Sequence, residues 1–206
     1  MKCLICTSSF LEIASWRKLL LIKSPQLVCE TCLKKFEKAE EKDWINDWIG
    51  TNFEGALDSL TSIYSYNDWM KQVYQQYKFQ LDVELANVFR TDFLLLLNKK
   101  EKIVPIPLHP GMLLERTFSQ VDELLHAANV PFTHVLSKTL NQSQIGKSKK
   151  ERVSSELIFT VTQDVQKQDI LLIDDLYTTG TTLHHAAYVL KKAGANSVNA
   201  LTLIRS

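Results

Sequence analysis

Apolar positions along this chain follow two alternating spacings after residue 57. Residues 60–66 (LTSIYSY) and residues 169–173, with a continuous apolar run from Ile170 to Ile173, have the composition of strands, whereas the stretch that begins at Asp68 repeats apolar residues every three or four positions. The first pattern predicts strands and the second predicts helices. Further strands are predicted at residues 102–106, 133–136, 157–161 and 198–204, and further helices at 81–97, 117–129 and 181–193. Strands that alternate with helices predict an α/β fold in which a mostly parallel sheet is flanked by helices.

The first fifty residues follow a different pattern. All four cysteines of the chain fall there, in two CxxC pairs separated by 22 residues: Cys3, Cys6, Cys29 and Cys32. Four thiolates are the preferred tetrahedral ligands of Zn²⁺, so the spacing predicts a structural zinc site with a closed shell. A redox-active pair is the alternative, but it needs a neighbouring βαβ unit, and none is predicted here. We expect residues 1–50 to form a small N-terminal zinc-binding module and residues 51–206 to form the main domain.

The segment that joins these two parts is rich in charge and then in tryptophan. Lysines and glutamates over residues 33–43 predict a solvated helix. Trp44 and Trp48 are four positions apart, which places them on one helical face, where we expect them to pack rather than to stack on bases.

Composition narrows the classes of function. The chain has 206 residues, of which 45% are hydrophobic and 23% charged, a balance typical of globular rather than disordered proteins. Its apolar runs are far shorter than the roughly 20 residues that a membrane span needs, and its start lacks a signal-peptide pattern. We therefore expect a cytoplasmic protein with no transmembrane segment. A net charge of +1 predicts no general attraction to nucleic acid.

The strongest candidate site follows the predicted strand at residues 169–173. The sequence there reads Asp174-Asp175-Leu176-Tyr177-Thr178-Thr179-Gly180-Thr181-Thr182. Two carboxylates at the carboxyl edge of a parallel sheet can accept hydrogen bonds from vicinal sugar hydroxyls. The amides of the loop and of the next helix can bind a phosphate, because Gly180 permits a tight turn and the threonines add donors. A site for a phosphate beside a site for a diol matches a ribose 5-phosphate. The alternative, in which Asp175 is an ordinary turn residue, does not explain why two acids follow a buried strand.

This segment resembles the phosphoribosyl-pyrophosphate (PRPP) motif of the type I phosphoribosyltransferases, an apolar run followed by DDxxTTGxT. With the four-cysteine module, it makes the chain similar to the ComFC/GntX family of competence proteins. Other stretches that match this family are residues 77–79 and 104–110, Glu115, Arg116, Phe118, Gln120, Gln144, Glu151, Arg152 and Phe159. The chain departs from the family pattern at Thr117, Ser119, Asn141 and Ser155.

The resemblance implies a type I phosphoribosyltransferase fold that binds PRPP and takes part in DNA uptake during natural competence. As an enzyme, the protein would use Asp174 and Asp175 to stabilise positive charge at the anomeric carbon while pyrophosphate leaves. Mg²⁺ is expected only with bound PRPP, because the sequence offers no separate carboxylate cage. As a non-catalytic adaptor, the protein would bind PRPP as an effector within the DNA-import machinery. No residue identifies a base pocket, so catalysis and the acceptor stay open.

Two further stretches are candidates for ligand contacts. Residues 107–116 stand where this fold holds pyrophosphate, and Arg116 is the expected cation, with a surface arginine at a helix start as the alternative. His109, between two prolines, serves equally well as a structural or a ligand-contacting residue. Residues 146–152 carry four basic side chains, which suit a solvated loop, a hood over the site or a contact for single-stranded DNA: Lys147, Lys149, Lys150 and Arg152.

Overall fold

The computed structural model of the protein describes residues 1–11, 26–40, 44–79, 83–97, 100–108, 118–138 and 159–206. Within these ranges the strands are β1 (Ser59–Ser65), β2 (Lys102–Pro105), β3 (Leu136–Lys138), β4 (Phe159–Val161), β5 (Asp169–Tyr177) and β6 (Ser197–Arg205). The α-helices are α1 (Glu30–Leu33), α2 (Asp68–Phe79), α3 (Ala86–Leu96), α4 (Gln120–Ala127) and α5 (Thr181–Lys192), with 3₁₀ turns at Asn46–Trp48 and Val83–Leu85. None of the helices within these ranges combines the length and apolar character that crossing a bilayer requires.

Four of the strands form one parallel sheet in the order β1-β6-β5-β2, and β3 pairs with β4 in a separate antiparallel pair. The main sheet is buried on both faces, as the alternation along β5 shows. Ile170 and Leu172 belong to a core formed with α5 and the β3–β4 pair, whereas Leu171 and Ile173 belong to a core formed with α2, α3 and α4. The predicted α/β fold, a mostly parallel sheet flanked by helices, is confirmed.

The N-terminal segment packs onto the side of the sheet that carries α2 and α3. Cys3 and Ile5 belong to the same apolar core as those two helices. Residues 37–39 run antiparallel beside β1, with a bridge between Lys38 and Tyr64. Residues from both predicted parts of the chain contribute to this core. The division of the chain at residue 50 stays a prediction.

The sequence predicts a solvated helix after the second cysteine pair, and this prediction is wrong. Helix α1 ends at Leu33, and residues 34–40 form turns and extended chain, while residues 41–43 of the predicted helix lie outside the described residues. The Phe36 side chain supplies the reason, since its ring centroid lies 5.2 Å from that of Tyr64 and 5.9 Å from that of Phe89. These tertiary contacts outweigh the helix propensity of the surrounding lysines and glutamates.

Within the described ranges, two predicted strands have boundaries that differ from the structure by more than one residue. Residues 133–136 are predicted as a strand, but β3 begins at Leu136, because the amide of Thr133 instead donates to the carbonyl of Ile103 in β2. In the other case, β5 extends four residues beyond the predicted end at Ile173, and its last pair with β6 joins Tyr177 to Arg205.

Candidate functional site

The acid pair lies within β5, at the point where one of its neighbours ends. Strand β2 stops at Pro105, which is paired with Ile173, so only β6 among the described strands continues beside Asp174 and Asp175. The sequence places the two acids after a strand, whereas in the structure the strand runs through them to Tyr177. The loss of one neighbouring strand opens the carboxyl edge of the sheet on that side.

The two carboxyl groups interact directly with each other. The amide of Asp175 donates to Oδ1 of Asp174 over 2.9 Å. Burial is the largest effect on Asp174, and together with the negative charge of Asp175 it raises the pKa of Asp174 well above its usual value. The hydrogen bond from the Asp175 amide opposes this rise in the pKa of Asp174 without cancelling it. Asp174 therefore holds its proton to a higher pH than a solvated aspartic acid does.

Three side chains that sequence analysis did not assign to the site interact with this pair, directly, through another residue or through their charge. The hydroxyl of Tyr74, in α2, donates to Oδ2 of Asp175 over 2.6 Å, and Nζ of Lys78 donates to the same hydroxyl over 3.0 Å. Lys138 ends β3; burial lowers the pKa of its ammonium group, and the charges of the acid pair oppose that shift. Tyr74 and Lys78 are spaced i, i+4, which is the one sequence signal that links them.

The predicted phosphate loop joins β5 to α5. Gly180 has φ +76° and immediately precedes α5, which begins at Thr181. A Cβ atom at position 180 would lie 2.5 Å from the hydroxyl oxygen of Tyr177, so the loop requires glycine here for its conformation and for space. Hydroxyl groups of Thr179 and Thr181 are hydrogen-bonded to each other over 3.0 Å. The first amides of a helix lack carbonyl partners within the helix and suit a phosphate.

Helix α5 is held in place by aromatic side chains from the segment before β1. His184 is 1% exposed, and the ring of Trp48 stacks on it with centroids 3.8 Å apart. The ring of Phe53 lies 4.2 Å from that of His185, one residue further along the helix. Trp44 also contacts His184, at 5.6 Å. The prediction that the two tryptophans pack within the protein is confirmed, whereas their placement on one helical face is wrong, because only Asn46–Trp48 form a 3₁₀ turn there.

The four cysteines converge at one point of the N-terminal segment. Their sulfur atoms all lie within 4.8 Å of one another, and none forms a disulfide: Cys3, Cys6, Cys29 and Cys32. A tetrahedral ion with Zn–S bonds of about 2.3 Å requires sulfur atoms about 3.8 Å apart. The distance between the sulfur atoms of Cys6 and Cys29 is 3.8 Å. The residues present therefore fit a four-coordinate metal ion.

The thiols of this cluster differ in how readily they ionise. Hydrogen bonding to Ser8 lowers the pKa of the Cys6 thiol to about 6, whereas burial raises the pKa of Cys32. Metal ligation would convert all four groups to thiolates, and three of them are already removed from solvent.

The remaining candidates lie outside the described residues. These are Arg116, His109 and the basic run at residues 146–152. Their assignment to a pyrophosphate contact, a hood or a DNA contact stays a prediction from the sequence.

Comparison with known proteins identifies the family. A family model described as the phosphoribosyl transferase domain matches residues 98–206. The chain is 37% identical to competence protein ComFC of Bacillus subtilis, with 99% of this chain and 95% of that protein aligned. This chain belongs to the ComFC family. The ComFC protein of Streptococcus pneumoniae is 33% identical over the full length of both chains.

Membership of the ComFC family agrees with the resemblance derived from the sequence and with the type I phosphoribosyltransferase fold. Among solved structures, a hypoxanthine-guanine phosphoribosyltransferase from Bacillus anthracis is 13% identical and overlaps with a TM-score of 0.41. That alignment covers 60% of this chain and 68% of the other.

Proposed function

We propose that this member of the ComFC family binds PRPP, or a related ribose 5-phosphate, where β5 meets α5. The observation that supports the proposal is one continuous segment with two kinds of recognition group. Asp174 and Asp175 supply acceptors for vicinal ribose hydroxyls. Five residues after Asp175, Gly180 turns the chain into α5, whose first amides can donate to a phosphate. A ribose 5-phosphate carries its vicinal hydroxyls at one end, for the acid pair, and its phosphate at the other end, for the loop at Gly180.

The pyrophosphate half of the ligand belongs to the stretch before α4. Arg116 is the proposed cation there, since a guanidinium group can donate to two phosphate oxygens at once. Mg²⁺ is proposed to enter with PRPP, to bind oxygens of its pyrophosphate and ribose, and to offset the negative charge of the pyrophosphate. The protein residues then orient the ligand from its other end, through the acid pair and the phosphate loop.

Calorimetric titration with PRPP and Mg²⁺ tests this site. The double substitution Asp174→Ala and Asp175→Ala is expected to abolish detectable binding, and Gly180→Val is expected to weaken binding comparably by blocking the loop. Asp164→Ala serves as the matched control, because Asp164 is an exposed acid on the loop before β5. Unchanged PRPP affinity in the double variant would contradict the assignment.

The proposed cellular role is DNA uptake during natural competence, in the cytoplasm. It is supported by two full-length relatives named as competence proteins. A chromosomal Asp174→Asn and Asp175→Asn variant, made at normal levels in a naturally competent host, is expected to reduce transformation as severely as deletion. Full transformation by this variant would show that the ribose-phosphate site is dispensable for uptake, and would favour an adaptor that contacts single-stranded DNA or other import proteins.

Transferase activity is the enzymatic form of the proposal, with an unidentified acceptor. Release of pyrophosphate from PRPP in the presence of a panel of bases and other nucleophiles is the readout that separates a phosphoribosyltransferase from a protein that binds PRPP as an effector. The metal at the four cysteines is proposed to be Zn²⁺ with a structural role, because four protein ligands leave no open coordination position.

A further inference from the structure

Helix α2 contributes a hydrogen-bonded chain that ends on the acid pair. Tyr74 is 5% exposed, and its hydroxyl donates to Oδ2 of Asp175 over 2.6 Å. Lys78, one turn further along α2, donates from Nζ to the Tyr74 hydroxyl oxygen over 3.0 Å, and its Nζ lies 4.9 Å from the centre of the Tyr74 ring. The ammonium group draws electron density from the phenol oxygen, which makes the phenol a stronger donor to the carboxylate.

The hydrogen bonds on the acid pair determine which carboxylate oxygens already accept from the protein. Tyr74 engages Oδ2 of Asp175, and the amide of Asp175 engages Oδ1 of Asp174. These two bonds therefore take one oxygen of each carboxyl group. Two vicinal hydroxyls on a sugar require two neighbouring acceptors, one for each hydroxyl. The other oxygen of Asp174 and the other oxygen of Asp175 supply these two acceptors.

We propose that Tyr74 and Lys78 are positioning residues for recognition of a ribose 2,3-diol. Tyr74 holds Asp175 in the orientation in which its second oxygen meets a ribose hydroxyl, and Lys78 acts through Tyr74. The inference rests on the proposed binding of a ribose 5-phosphate. It adds that selectivity for ribose over deoxyribose depends on a helix about a hundred residues before the PRPP motif in the sequence.

The chain contains a matched control for the hydrogen bond itself. Tyr64, in β1, donates from its hydroxyl to Oδ2 of Asp92 over 2.7 Å, and Nζ of Lys38 bonds to the same carboxylate and lies 4.2 Å from the Tyr64 ring centre. Tyr64 is 6% exposed, so Tyr64→Phe removes a tyrosine–aspartate bond of similar burial away from the acid pair. An effect of general destabilisation would appear in both variants.

The experiment measures affinities for ribose 5-phosphate, 2-deoxyribose 5-phosphate and inorganic phosphate in the full chain. Tyr74→Phe is expected to lower the affinity for ribose 5-phosphate roughly tenfold, the scale of one charged hydrogen bond, and to leave phosphate affinity unchanged. The preference for ribose over deoxyribose should fall accordingly. Lys78→Met is expected to act in the same direction more weakly, while Tyr64→Phe and the exposed Lys71→Met keep the wild-type preference.

The outcomes separate this inference from the proposed function. A wild-type protein that binds ribose 5-phosphate no better than its deoxy analogue would overturn the proposed recognition of the diol. A wild-type preference that survives intact in both Tyr74→Phe and Lys78→Met would overturn only the positioning role. Loss of phosphate affinity in parallel with ribose affinity would also overturn it, because the phosphate loop does not contact Tyr74 in the proposed arrangement.

Discussion

Asp174 is a half-buried acid whose raised pKa lowers the stability of the ligand-free protein at neutral pH. Burial, and then the charge of Asp175, raise the pKa of Asp174 in the folded state. A group whose pKa is higher in the folded state contributes its full stabilisation below the unfolded-state value of about 4. That stabilisation is lost as the pH rises from there through the folded-state pKa. The free energy of unfolding is therefore reduced by this carboxyl group at pH 7.

The substitution Asp174→Asn removes the ionisable proton and keeps the side-chain size. It is expected to raise the free energy of unfolding at pH 7 by about 0.5–2 kcal/mol, and to change it little at pH 4. Urea denaturation at both pH values measures the difference, with the exposed Asp164→Asn as control. A variant less stable than wild type at pH 7 would show that the acid pair stabilises the fold instead.

Gly180 is a residue for which both backbone conformation and space demand glycine. Gly180→Ala is expected to destabilise the protein by more than the roughly 1–2 kcal/mol of a left-handed non-glycine residue, because its Cβ would also meet the Tyr177 ring. It should weaken binding of phosphate as well. Gly55→Ala is the control, since Gly55 has φ +66° and a Cβ atom added there would meet nothing within 4 Å. Equal stability losses in the two variants would remove the steric argument.

At the scale of elements, the N-terminal end of α5 depends on the aromatic segment before β1. Trp48 is 2% exposed and stacks on His184 within the first turns of α5. Trp48→Ala is expected to reduce the free energy of unfolding by about 3–5 kcal/mol and to weaken phosphate binding. Trp44→Ala, at the more distant and half-buried tryptophan, should have smaller effects on both. Thermal unfolding and phosphate titration of the two variants provide the comparison.

The strands and helices that the sequence predicts well are those with long periodic patterns. Residues 170–173 of β5 are continuously apolar because they are buried on both faces of the sheet, and α2 and α5 repeat apolar residues at helical spacing over 12 residues each. Strand β3 has only three residues, and its pairing with β4 sets its position, so the sequence pattern misplaces it. Residues 34–40 fail as a helix because Phe36 packs against distant rings.

The candidate site divides in the same way. Its acid pair and phosphate loop are contiguous in the chain, so the sequence pattern alone predicts them. Tyr74 is 101 residues from Asp175, and their hydrogen bond depends on how α2 packs against the sheet. Lys138 likewise interacts electrostatically with the two acids only because the β3–β4 pair folds near them. Contacts of this kind have no local sequence signal.

At the scale of the whole molecule, the four cysteines tie the N-terminus to the main core. Cys3, Cys29 and Cys32 belong to the same apolar cluster as α2, α3 and α4. A metal ion there would stabilise that shared core as well as the short segment that binds it. Loss of metal should therefore be felt throughout the protein.

Purified protein is expected to contain about one zinc ion per chain, the stoichiometry of a Cys₄ site. Chelation of the metal, or Cys29→Ser, should lower both the metal content and the temperature of unfolding, because three thiolates leave the site open. The exposed Ser9→Ala variant should retain its metal. Elemental analysis that finds no zinc, together with two disulfides in fresh protein, would overturn the structural zinc site.

The central claim is that one segment, from the acid pair of β5 to the first turn of α5, holds a ribose 5-phosphate. The most direct test is a crystal structure of the protein with PRPP and Mg²⁺. We expect the ribose hydroxyls within hydrogen-bond distance of Asp174 and Asp175, and the 5-phosphate on the amides of residues 178–182. Density for PRPP elsewhere on the protein, with this segment unliganded, would contradict the claim.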